Sequence, residues 1–134
     1  MDETKELLPI ELDAIALDCR DVLKLADFYM RMLGWLKNGD GDDEWTEIVS
    51  PASGAVIAFQ QNEDYVPPVW PEAPGAQQQM AHLDFRVRDR EQLTLAVNHA
   101  LSCGAREANA QYNPERWITL LDPEGHPFCF VAAH

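Results

Sequence analysis

Asp13-Ala14-Ile15-Ala16-Leu17-Asp18-Cys19 and His82-Leu83-Asp84-Phe85-Arg86-Val87-Arg88 are the two stretches whose reading settles the fold of this chain. In the first, Ile15, Leu17 and Cys19 alternate with Ala14, Ala16 and Asp18, and in the second Leu83, Phe85 and Val87 alternate with His82, Asp84 and Arg86. Period-two alternation of this kind predicts strands with one apolar face. Each strand is followed by the same kind of helix. Asp21 caps Val22, Leu25, Ala26, Tyr29 and Leu33 at helical spacing, with Gly34 as the stop. Asp89 and Gln92 form a capping box ahead of Leu93, Ala96, Val97, Ala100 and Leu101, with Gly104 as the stop.

Outward from these cores the order continues to match. The first copy runs through a solvated turn, Asn38-Gly39-Asp40-Gly41-Asp42-Asp43, into a hairpin of Trp45 to Val49 and Ala55 to Gln60. The second runs through a strand at Ala105 to Ala108 into Trp117 to Leu121, the turn Asp122-Pro123-Glu124-Gly125, and Phe128 to Ala132. The chain therefore reads as a duplicated module, βαβββ twice. The expected class is α+β: two tandem modules forming a cup-shaped, mainly antiparallel sheet with helices outside. Residues 1–134 form one domain, with module 1 at about 11–61, a linker at 62–79 and module 2 at about 80–133. The linker holds Pro67, Pro68, Pro71 and Pro74, which predict a stiff, irregular path.

Composition narrows the function classes. Asp and Glu outnumber Lys and Arg by 23 to 10, a formal charge of −13, which repels a phosphate backbone and an anionic membrane surface. The expectation is no nucleic acid and no membrane partner. No apolar run reaches the ~20 residues of a membrane span, and Met1 to Glu6 lack the layout of a signal peptide, so a cytoplasmic protein is expected. Cys19, Cys103 and Cys129 form no Cys-x-x-Cys pair and are read as buried free thiols. The acidic run Asp40 to Glu44 lacks the spacing of a calcium loop and is read as a solvated turn.

Phe28-Tyr29 with Leu33-Gly34, His82 seven residues before Asp89, and Asp122-Pro123-x-Gly125-His126-Pro127-Phe128 resemble the vicinal oxygen chelate superfamily of glyoxalases, bleomycin-resistance proteins and extradiol dioxygenases. Pro68-x-Trp70-Pro71 and Gly125-His126-Pro127-Phe128-Cys129 resemble its glyoxalase-like domain branch. The resemblance implies metal-ligand positions at Ala14, Ala58, His82 and Cys129. Alanine offers no donor atom, so the expectation is a cup without the superfamily metal and without a cofactor. Were a divalent metal to bind, His82 with Cys129 would hold it, with Asp18 and Gln60 near the vacated positions.

The same face is expected to carry Asp84 and Arg86, a carboxylate and a planar donor set that either bind a ligand or neutralise one another. Trp45, Trp70 and Trp117 are the candidate aromatic lining, each with core packing as its alternative. Phe28, Tyr29, Phe59, Phe128 and Phe130 are assigned to packing, His126 to a structural turn, and His99 and His134 to the exterior. Three functions stay open: small-molecule binding in the cup; an enzyme of lyase, isomerase or dioxygenase type, using His82 and Asp84 as acid and base, a rearranged metal site, or Cys129 with His82 as base; and a non-catalytic interaction module. The resemblance also implies a homodimer.

Overall fold

The computed structural model of the protein describes residues 7–133, so the readings of Met1 to Glu6 and of His134 lie outside the described residues. The elements run β1 (Ile15–Cys19), α1 (Val22–Leu33), β2 (Leu36–Lys37), β3 (Trp45–Val49), β4 (Val56–Gln61), β5 (Leu83–Val87), α2 (Arg90–Cys103), β6 (Arg106–Glu107), β7 (Trp117–Leu121) and β8 (Pro127–Ala132). Two four-stranded sheets result, β1-β4-β3-β2 and β5-β8-β7-β6. In each, the first and last strands of the module pair in parallel and the remaining pairs are antiparallel. The duplicated βαβββ architecture expected from alternation is present.

Local chemistry sets the helix boundaries. The Asp21 carboxylate accepts from the Lys24 N–H and that of Asp89 from the Gln92 N–H, each satisfying a donor that the first helical turn leaves free. Gly34, at φ 71°, ends α1 in the left-handed region that a β-carbon would strain. Two details differ from the sequence reading. The strand expected over Ala105 to Ala108 shrinks to Arg106–Glu107, and the segment after Gly34 contributes β2, because both are edge strands defined only by their partners β7 and β3. Cys103 is half-buried, whereas Cys19 and Cys129 are buried.

Both modules bury their helix-facing sides in one core. Tyr29 stacks on Phe59 of its own module (5.5 Å between centroids) and meets Phe128 of the other at 6.0 Å. Phe128 also lies 6.2 Å from Phe28 and 5.7 Å from Phe130. The assignment of Phe28, Tyr29, Phe59, Phe128 and Phe130 to packing agrees with their burial. His99 lies on the exposed side of α2, and its ring contacts the Met32 carbonyl at 3.0 Å.

A polar clasp joins the modules at one end. The β7–β8 turn reaches across to the β1–α1 junction, where the Glu124 carboxylate accepts from the Arg20 and Asp21 N–H groups at 3.0 and 2.8 Å. The fully buried Asp122 accepts from the Tyr29 hydroxyl at 2.7 Å and from the His126 ring Nδ1 at 2.8 Å. His126 Nε2 lies 2.7 Å from the Asp18 carbonyl. A carboxylate and a carbonyl both accept, so this pair of contacts favours the doubly protonated ring. Gly125, at φ 92°, lets the turn approach, since a β-carbon there would sit 3.1 Å from Pro67.

The clasp has a pH signature. Burial pulls the His126 pKa down, but the hydrogen bond and charge of Asp122 and the Asp18 carbonyl outweigh it, and the net direction is up from 6.5. A raised folded pKa gives stability that is complete below 6.5 and is lost as pH rises through the folded value. Urea unfolding of the protein is therefore expected to show falling stability above pH 6.5, and His126→Gln is expected to flatten that slope. An unchanged slope in the variant would contradict the charged clasp. At higher pH the Cys19 thiol enters the same balance, since burial, then Glu124 and Asp122, push it up to about 12.

Candidate functional site

The faces of the two sheets turned away from the helices are where strand parity puts His82, Asp84 and Cys129 in one module and Ala14, Ala16, Asp18 and Ala58 in the other. Register does the positioning. Asp84 pairs with Cys129 across β5 and β8, and Thr119 pairs with Cys129 across β7 and β8, so three side chains from adjacent strands share one spot. His82 stands just ahead of β5, two residues from Asp84 and on its side. Its Nε2 lies 3.1 Å from Asp84 Oδ1, and donor atoms of His82, Asp84 and Cys129 all lie within 4.8 Å of one another.

The chemistry of this cluster is that of a half-exposed imidazole and carboxylate over a buried thiol. The Cys129 sulfur contacts the Thr119 hydroxyl at 3.3 Å. Burial pushes the Cys129 thiol up, a Thr119 hydrogen bond opposes this, and the Asp84 carboxylate adds to the rise. Without a cation beside it the sulfur stays a thiol, a poor nucleophile. A tetrahedral ion with ligands at about 2.0–2.3 Å separates its donors by about 3.3–3.8 Å, so three donors within 4.8 Å need only a small closure. Imidazole, carboxylate and thiolate form a set that a transition metal accepts, and the residues fit such an ion. At the matching positions of the first module, Ala14 and Ala58 offer it nothing.

Asp18 and Gln60 form a separate group. The Asp18 carboxylate accepts from Gln60 Nε2 and from Asn62 Nδ2, each at 3.0 Å. Neither Asp18 nor Asp84 pairs with Arg86, which makes no hydrogen bond or ion pair with the described residues. Arg86 instead lines a cleft of about 560 Å³ between the modules. The indole N–H of Trp45 donates to Glu47 at 2.9 Å, and that of Trp70 donates to the Ala110 carbonyl at 3.1 Å. Trp117 is half-buried on β7. None of the three lines the cavities described here, whereas Trp35 does.

The linker supplies what the sequence reading missed. Gln78, Gln79, Met80 and Ala81 form a wall shared by two cavities, one of about 400 Å³ over Ala16 and Asp18 and one of about 250 Å³ reaching His82. The Gln79 side-chain oxygen is buried and has no hydrogen-bond partner among the described residues, an acceptor left for a donor from outside. Met80 beside it holds φ 64°, a strained value for a residue with a β-carbon. The glutamine run Gln77-Gln78-Gln79 next to His82 was the available signal, but only tertiary structure shows that it borders both cavities.

Comparison with known proteins agrees with this architecture. The Glyoxalase-like domain family matches residues 14–131. No functionally curated protein matches the chain. Among solved structures, a glyoxalase/bleomycin resistance protein/dioxygenase family enzyme from Burkholderia phytofirmans is similar at TM-score 0.73 and 17% identity, covering 93% of this chain and 100% of that one. A fosfomycin resistance protein from Listeria monocytogenes, complexed with Mn(II) and 1S,2S-dihydroxypropylphosphonic acid, is similar at TM-score 0.68 and 15% identity, covering 95% of each chain. A glyoxalase-related enzyme from Fulvimarina pelagi is similar at 0.67 and 16%, covering 92% of this chain and 88% of that one. With the duplicated βαβββ fold, the His82 and Cys129 positions and a match over nearly the whole length, this chain belongs to the glyoxalase-like domain family of the vicinal oxygen chelate superfamily.

Proposed function

We propose that the protein binds a small, hydrogen-bond-donating molecule on the open face of its second module, at the cavities that meet at Gln79 and His82. The observation that supports this reading is the unpartnered, buried Gln79 oxygen in the wall shared by those cavities. Asp84 and Glu72 add acceptors nearby, so the site favours amines, hydroxyls and amides over anions. A charge of −13 works in the same direction and against nucleic acid. Native mass spectrometry of the purified protein is expected to reveal a co-purifying compound and no stoichiometric metal, with the compound lost in Gln79→Leu and His82→Ala. Retention of the compound in both variants would defeat the proposal.

A second reading, metal-dependent catalysis, is favoured by the convergence of His82, Asp84 and Cys129. A divalent transition metal held there would supply Lewis acidity, while His82 and Asp84 would orient donors around the substrate. Elemental analysis separates the two readings. Stoichiometric zinc, manganese, iron or nickel that disappears in both His82→Ala and Cys129→Ala would replace the first reading with the second. Dimerisation, implied by family membership, belongs to the proposal and is checked by sedimentation.

A further inference from the structure

The two ends of the seam between the modules are built differently. At one end the turn Asp122 to His126 clasps the β1–α1 junction. The equivalent turn of the first module, Ser50-Pro51-Ala52-Ser53-Gly54-Ala55, has no acid and no histidine, and its hydroxyls are used locally: Ser50 accepts from the Ala52 and Ser53 N–H groups and Ser53 from the Ala55 N–H. No clasp forms over β5. Instead Gly54 and Ala55 border the cleft of about 560 Å³, whose opposite wall is β5.

This cleft is distinct in character from the face carrying His82. Its walls include Ile57, Phe85, Val87 and Phe130 from the helix-facing side of the sheets, with Met32 of α1 and Trp35 just after it, all continuous with the core, while Ala14, Asp84 and Arg86 border it from the other side of β1 and β5. β1 and β5 are the outer strands of their sheets at this seam, so no backbone ladder closes it. Phe85 and Val87 are half-buried where their counterparts Phe130 and Ala132 on β8 are buried, which leaves apolar surface turned toward the cleft. The volume falls in the range of small-molecule pockets, and filling it with an apolar group removes that surface from water.

Arg86 stands at this apolar cleft with no partner among the described residues. Of the two acids in the lining, Asp84 is engaged by His82 at 3.1 Å, and Asp13 remains. A guanidinium beside an apolar chamber matches a carboxylate on an apolar body better than an amine or a neutral alcohol. We infer that the intermodule cleft is a second binding site, for an apolar monocarboxylate such as a medium-chain fatty acid, with the tail among Trp35, Phe85 and Phe130 and the head at Arg86.

Titration with decanoate, followed by calorimetry and by tryptophan fluorescence through Trp35, tests this directly. Saturable binding is expected, with decanol and decyltrimethylammonium each at least about tenfold weaker, the scale of one charge-assisted hydrogen-bonded contact. Arg86→Gln is expected to weaken decanoate about tenfold and leave decanol unchanged. Asp13→Asn is expected to strengthen decanoate. Ala55→Phe, which fills the cleft from an exposed turn, is expected to weaken all three, with circular dichroism reporting the intact fold. Gln79→Leu, which alters the wall of the other two cavities and no residue of this cleft, is expected to leave decanoate binding as it is, which separates this site from the one proposed above. Equal affinity for decanoate and decanol, loss of decanoate in Gln79→Leu, or no saturable binding to the wild-type protein would each overturn the inference.

Discussion

Asp122→Ala is expected to lower the unfolding free energy by about 3–5 kcal/mol, the range found when one partner is removed from a buried ion pair. Its carboxylate is fully buried and accepts from the Tyr29 hydroxyl, the His126 ring, and the Glu124 and His126 N–H groups. Alanine would leave all of them facing an apolar gap, with an imidazolium that must either stay unpaired or lose its proton. Because a domain of this size has a total stability of roughly 5–15 kcal/mol, the variant is expected near the edge of folding at 37 °C. Two milder variants divide the effect. Tyr29→Phe removes one hydrogen bond and should lose about 1–2 kcal/mol. Asp122→Asn keeps the shape but withdraws the charge that holds the His126 proton, so its stability should depend less on pH than that of the wild-type protein. Equilibrium urea unfolding of the three variants checks the ranking, and an Asp122→Ala loss no larger than that of Tyr29→Phe would refute the clasp.

Phe128→Ala is expected to have an effect of the same order, about 3–5 kcal/mol, through packing rather than charge. The ring is fully buried and lies within 6.2 Å of Phe28, Tyr29, Phe85 and Phe130, two of them in each module. Its truncation removes an aromatic contact shared by both modules and opens a cavity that α1 and β8, each fixed by its own sheet, cannot easily collapse. Thermal unfolding should shift downward by roughly 10–20 °C. Phe128→Leu, which keeps most of the volume, should recover most of the loss.

Much of this architecture is written in local pattern. Alternation at Ile15–Cys19 and Leu83–Val87 and the caps at Asp21 and Asp89 are properties of a few neighbouring residues, and every element but the short edge strand β2 appears within a residue or two of where the pattern puts it. The pair of His82 and Asp84 is legible for the same reason, since residues two apart on an extended chain share a side. Cys129 reaches them only through the parallel register of β5 with β8, which the repeat suggests and pairing fixes. The clasp is not legible, because the hydrogen bonds that join the modules span sequence separations of 93 to 108 residues. Trp70 shows the opposite limit. Its composition suggests a pocket wall, yet one hydrogen bond to the Ala110 carbonyl and an edge contact with Tyr112 tie it to a loop of the second module.

The reach of Glu124 also bears on how the chain comes together as it is made. The N–H groups of Arg20 and Asp21 find their acceptor 104 and 103 residues downstream. On a ribosome the first module emerges well before that carboxylate exists, and until then water serves those two N–H groups, while Asp21 already caps the helix. The leading half of the protein therefore waits for the trailing half, and its sheet and helix reach their final stability only when the last hairpin has left the exit tunnel.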